Sequence, residues 1–248
     1  MSGYWQVVRR FGRYLWWQLT ADALVEEENI HWHGARIHYV AYGEGKPLLL
    51  LHGGLSNRLS WFAQVPVLVA AGRRVVLVDT RGHGKSTLGD TGLSYELFAQ
   101  DVVQVLEQLH IAQADIVGWS DGGIIALLLG RDVPQRVGKI VAVSANFDAS
   151  GLTPESLTEL QPETRQPLKR QIHRLWHHGP RLRQADLQAV IAPVLVVVGQ
   201  RDVITVEHSA QLAQWLGNGR LVVLEGAGHS APVTHAGEVE ALVLAFLG

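Results

Sequence analysis

Six short, continuous apolar runs, each closed by a glycine or a polar residue, constrain this chain more than any other feature. Leu48–Leu51 ends at His52-Gly53-Gly54, Val75–Val78 at Asp79, and Ile116-Val117 at Gly118. Ile140–Val143 ends at Ser144, Pro193–Val198 at Gly199, and Leu221–Leu224 at Glu225. Runs this short, rich in β-branched residues and without alternation, suit strands buried on both faces, as in a parallel sheet covered by helices. Between them, Tyr95 to His110 carries a helical stripe (Leu97, Phe98, Val102, Val105, Leu106, Leu109), and Ile124 to Gly130 and Val206 to Leu216 look similar. Alternating strands and helices predict an α/β fold with a doubly wound, mostly parallel sheet flanked by helices. Ile30 to Tyr42 reads as a hairpin around His33-Gly34.

One segment breaks the rhythm. Phe147 to Ala189 is polar, has no strand-like run and carries Pro154, Pro162, Pro167 and Pro180. It reads as a short helical cap at 148–189, inserted between core segments 29–147 and 190–248. Residues 1–28 read as an amphipathic helix that ends before Glu26, Glu27 and Glu28. Its aromatics pack on the domain or on a second subunit in the favoured reading; membrane association is the less favoured one. The arginines interrupt the apolar residues rather than precede them, which is not a signal-peptide pattern, and cytoplasmic is the default location. Hydrophobic residues make up 47% of the 248 and charged residues 18%, enough for a large core. The formal net charge of −2 leaves nucleic-acid binding without an electrostatic basis, and the absence of cysteine excludes thiol nucleophiles and thiolate metal sites.

In doubly wound sheets, ligands sit at the carboxyl ends of strands, and the chemically capable residues here follow strand ends. Gly118-Trp119-Ser120-Asp121-Gly122 lies between a strand and a helix, the pattern of a nucleophile elbow, with Ser120 as nucleophile. Its tight turn leaves no room for side chains two residues either side. A tetrahedral intermediate needs backbone N–H donors, and Asp121 and Gly54 are the candidates for this oxyanion hole. Asp202, after the strongest apolar run, suits the acid that orients a histidine, in preference to Asp148. His229, in the small-residue loop Gly226-Ala227-Gly228-His229, can reach back to the serine as base. Chain order is Ser120, Asp202, His229. His52 reads as a brace of its loop.

Two other patterns fall short. Gly84-Lys85-Ser86 lacks the glycine five residues earlier that a phosphate-binding loop requires, since Asp79 stands there. His173 and His177 have zinc-ligand spacing, but Arg174 replaces the glutamate of that motif, and they read as a surface pair. No metal site is read from these patterns.

With His52-Gly53-Gly54, Asp79 to Ser86, Gly118 to Gly123, Asp202 and Gly226 to His229, the chain resembles the α/β-hydrolase superfamily, close to its esterase and lactonase-like members. The resemblance implies an acyl-enzyme route to a small carboxylic ester, thioester or lactone, with no cofactor. It also leaves open amide or amino-acid ester hydrolysis, in which Asp121 holds an ammonium group, and lyase or ligand-binding members of the same fold. Trp119, Leu175 and Trp176 are the candidate substrate-binding residues, suggesting an apolar or aromatic acyl pocket. Oligomeric state is not readable.

Overall fold

A computed structural model describes residues 2–160 and 163–248; Met1 of the expected N-terminal helix and Pro162 of the expected cap lie outside the described residues. Strands β1 (Leu24–Trp32), β2 (Ala35–Tyr42), β3 (Lys46–Leu51), β4 (Arg73–Asp79), β5 (Ala114–Trp119), β6 (Val137–Val143), β7 (Val194–Gly199) and β8 (Gly219–Leu224) form one sheet in the order β1-β2-β4-β3-β5-β6-β7-β8. β1 and β2 are an antiparallel hairpin, and β2 lies antiparallel to β4. Every pair from β4 to β8 is parallel. The fold is therefore the mostly parallel, doubly wound sheet expected.

Helices α1 (Ser2–Thr20), α2 (Gln64–Ala70), α3 (Tyr95–Gln108), α4 (Asp121–Asp132), α5 (Pro154–Glu159), α6 (Pro167–His178), α7 (Gln184–Gln188), α8 (Val206–Trp215), α9 (Ala231–Thr234) and α10 (Ala236–Leu247) surround it. Strand periodicity sorts the core into two layers. Leu49, Leu51, Val76 and Val78 face the layer that α3, α4 and α8 cover. Leu48, Leu50, Val75 and Leu77 face the opposite layer, closed by α2, α10 and Tyr14 of α1. All eight side chains are buried, which is why their runs are apolar at every position.

Two expectations shift. The first strand starts at Leu24, not near Ile30, so the N-terminal helix stops at Thr20 and the three glutamates lie in β1. β1 is an edge strand, where charge is tolerated: Glu26 accepts from the Tyr39 hydroxyl, and Glu27 pairs with Lys85 at 2.5 Å. His173 is buried rather than on the surface, its ring stacked on Trp176 with centroids 5.2 Å apart. Among the described residues, no helix is long and apolar enough to cross a membrane.

Candidate active site

The turn from β5 to α4 forces Ser120 into φ 55°, ψ −119°, a conformation L-residues rarely hold. Its N–H donates to the Val143 carbonyl at 2.8 Å, and its own carbonyl accepts from Gly123 and Ile124. A Cβ at Gly118 would overlap the Gly122 carbonyl, and one at Gly122 would overlap the Leu51 carbonyl. The two glycines thus allow the chain to double back against β3, and the serine is left projecting at the sheet's carboxyl edge.

His229 Nε2 lies 3.0 Å from Ser120 Oγ, and its Nδ1 lies 2.7 Å from Asp202 Oδ1. Asp202 is buried and accepts three further bonds: from Ser144 Oγ at 2.6 Å, Ile204 N at 3.1 Å and Gly199 N at 3.3 Å. Burial pushes its carboxyl pKa upward, but the bond and charge of His229, with the Ser144 and Ile204 donors, outweigh it and hold the group below the ordinary carboxylate range. Asp148, the rival acid, is occupied elsewhere: its Oδ1 accepts from Ser150 N at 2.8 Å and caps a short turn.

The loop after β3 runs beside the serine, with Gly53 against the Ser120 side chain. Among the described residues, neither the Gly54 nor the Asp121 N–H donates to a protein acceptor. Such free donors are what an oxyanion site requires. The next N–H, of Leu55, is held by His83 Nε2 at 3.0 Å. His52 braces the loop: its Nε2 accepts from Thr80 N at 3.0 Å, while its Nδ1 lies 2.7 Å from the Gly53 carbonyl. Burial, then the neighbouring His83, lowers its pKa to about 4, so it is neutral at pH 7.

A family model described as alpha/beta hydrolase fold matches residues 46–171, just over half of the chain. The chain belongs to the α/β-hydrolase fold family. The names of its relatives differ in substrate. RutD of Variovorax paradoxus (strain S110), whose name proposes a carbamate hydrolase, is 29% identical over 85% of this chain and 96% of its own. The 2-hydroxymuconate semialdehyde hydrolase of Pseudomonas sp. (strain CF600) is 29% identical over 86% and 91%. A solved structure of Est816, an N-acyl homoserine lactone degrading enzyme, superposes with a TM-score of 0.75 at 28% identity over 88% and 99%.

Over the Gly53-Gly54 loop of this α/β-hydrolase sits a buried carboxylate. Asp121 Oδ1 accepts from Tyr95 Oη at 3.0 Å and from Trp176 Nε1 at 2.9 Å, whereas its buried Oδ2 has no partner among the described residues. A Cβ added to Gly54 would collide with that Oδ2 and with the Trp176 ring. Burial raises the Asp121 pKa to about 6, opposed by Trp176, Tyr95 and His229.

The three candidate substrate residues separate. Trp176 reaches the site through Asp121. Trp119 donates its indole N–H to the His229 carbonyl at 2.7 Å, with ring centroids 5.8 Å apart, so it braces the histidine. Leu175 lines a cavity of about 410 Å³ between the start of α3 and α6, whose walls include Tyr95 but neither Ser120 nor His229. Arg81 and His83, in the loop after β4, are buried: Arg81 forks onto Asp101 at 2.6 and 3.0 Å. Two participants were missed, Ser144 and Tyr95. Ser144 closes a strand, which was a usable signal; Tyr95 opens a helical stripe and reads as core.

Proposed function

We infer that this α/β-hydrolase cleaves a carboxylic ester, thioester or lactone of a small molecule through an acyl-enzyme on Ser120. The observation that carries the reading is the continuous hydrogen-bonded line from Ser120 through His229 to Asp202. In this mechanism Ser120 Oγ attacks the acyl carbonyl as His229 Nε2 takes its proton. Asp202 holds the imidazole by Nδ1 and stabilises the imidazolium. The Gly54 and Asp121 N–H groups receive the oxyanion. His229 returns the proton to the leaving oxygen (sulfur in a thioester), and water, deprotonated by the same histidine, releases the acid. The lactone-degrading relative at 28% identity supports this bond class.

Turnover of p-nitrophenyl esters, from acetate to decanoate, tests the reading. Ser120→Ala is expected to lower kcat by about 10⁴–10⁶-fold. Near wild-type turnover by that variant removes Ser120 from the chemistry.

The unpartnered Asp121 Oδ2 favours a second reading, an amino-acid ester or amide whose ammonium group meets this carboxylate. The carboxylate is ionised above about pH 6 and takes a proton below it. Preference for an α-amino ester over its uncharged isostere should therefore be present at pH 7.5, decline as pH falls through 6, and vanish in Asp121→Asn. An equal preference in wild type and Asp121→Asn at pH 7.5 ends that reading and leaves the ester reading intact.

A further inference from the structure

Helix α1 is apolar on two sides. Towards the domain, Tyr14 is buried and stacks on Trp17, which packs on Tyr42, while Phe11 meets Phe62 edge-on. Arg10 pairs with Glu240 at 2.8 Å, and Gln18 donates to the Tyr42 hydroxyl at 2.8 Å. These contacts fix the helix, so its outer surface is presented ready-formed. Projected at about 100° per residue, Tyr4, Leu15, Val8, Leu19, Trp5 and Trp16 follow one another over about 120° of that outer surface. Tyr4 is 71% exposed, Trp5 62%, Trp16 70% and Leu19 83%. No charge interrupts the stripe. Arg9 and Arg13, both exposed, border it beside Trp16, and the helix contains no acidic residue.

The residue types select the occupant. Trp and Tyr place an apolar ring and a polar N–H or O–H at once, which suits the boundary between acyl chains and headgroups. Arginines beside an apolar stripe reach outward to phosphates while their stems stay on the apolar side. A second copy of the helix supplies no counter-charge, because a two-fold seam brings arginines against arginines. An anionic bilayer supplies it. We propose that α1 docks lengthwise on an anionic phospholipid surface, with Trp5, Trp16 and Leu19 at the acyl boundary and Arg9 and Arg13 on lipid phosphates. The helix lies on the surface and does not span it.

The test is co-sedimentation of the full chain with phosphatidylcholine vesicles carrying about a third phosphatidylserine, at low and high salt. Wild type should sediment, and less so at high salt. Trp5→Gln with Trp16→Gln, and separately Arg9→Gln with Arg13→Gln, should each reduce partitioning on the order of tenfold or more. All these side chains are exposed, so both variants should melt like wild type, which separates lost docking from lost folding. Absence of wild-type sedimentation overturns the proposal. So does a wild-type dimer in light scattering that the tryptophan pair converts to monomer, since the stripe would then join two copies; Gly12, with open space before it, lies within the stripe and allows close approach.

Discussion

Asp202 accepts four hydrogen bonds, and the shortest comes from a residue that touches no reacting atom. Ser144 adopts φ 53° at the end of β6, is buried, and spends its hydroxyl on Asp202 Oδ2. A hydrogen bond to a charged acceptor contributes about 1.5–3 kcal/mol, on the order of one to two pKa units. The sign follows from the depressed carboxyl. Removing a donor raises its pKa, so Asp202 takes up its proton, and turnover is lost on the acid limb, at higher pH. Ser144→Ala is expected to show this shift. Ser144→Gly should show the same shift while relieving the positive φ, and an unmoved limb in both limits Ser144 to a packing role. The principal trio was legible because each member follows a strand end in a fixed chain order. Ser144 closes β6 and so carried a positional signal, but nothing in the chain ties it to Asp202 until the strand ends meet in space; Tyr95 has no signature, because it opens a helical stripe and reads as core.

The elbow is the element on which the site depends, and its weak point is steric. An alanine Cβ at Gly122 would overlap the Leu51 carbonyl and crowd that of His52. Backbone atoms of a central strand cannot give way in a close-packed core. Gly122→Ala should therefore lose several degrees of melting temperature and most of the turnover proposed for Ser120, or fail to fold. Gly217→Ala is the control, since its Cβ meets nothing within 4 Å, and it should melt within about a degree of wild type. Equal melting of the two variants would mean the elbow has slack. The central strands were legible for the reason that makes this element rigid, burial on both faces. The start of β1 was not, because an edge strand carries Glu26 to Glu28 and looks polar. The short α2 and α9 offer too few residues to show a period.

At the scale of the molecule, α1 completes the layer formed by α2 and α10. Without it, Tyr42 and Phe62 at the antiparallel end of the sheet lose their cover. The amphipathic pattern was visible in the sequence, but which aromatics face inward was not, because apolar residues occupy both sides of the helix and only the domain's surface chooses between them. The two sides should respond differently to substitution. Tyr14→Ala removes a buried ring, with an expected cost of about 2–4 kcal/mol. For a chain of this length that lowers the melting temperature by about 5–15 °C. Trp16→Gln alters a side chain held mostly in solvent and should change stability by less than about 0.5 kcal/mol. The turnover proposed for Ser120, per folded molecule, should be unchanged in both, because Ser120, Asp202 and His229 follow β5, β7 and β8. Thermal melts followed by tryptophan fluorescence decide the matter. Comparable losses in the two variants would mean that the outer stripe packs against protein in solution, whereas a loss confined to Tyr14→Ala assigns one side of the helix to the fold and leaves the other free for a partner.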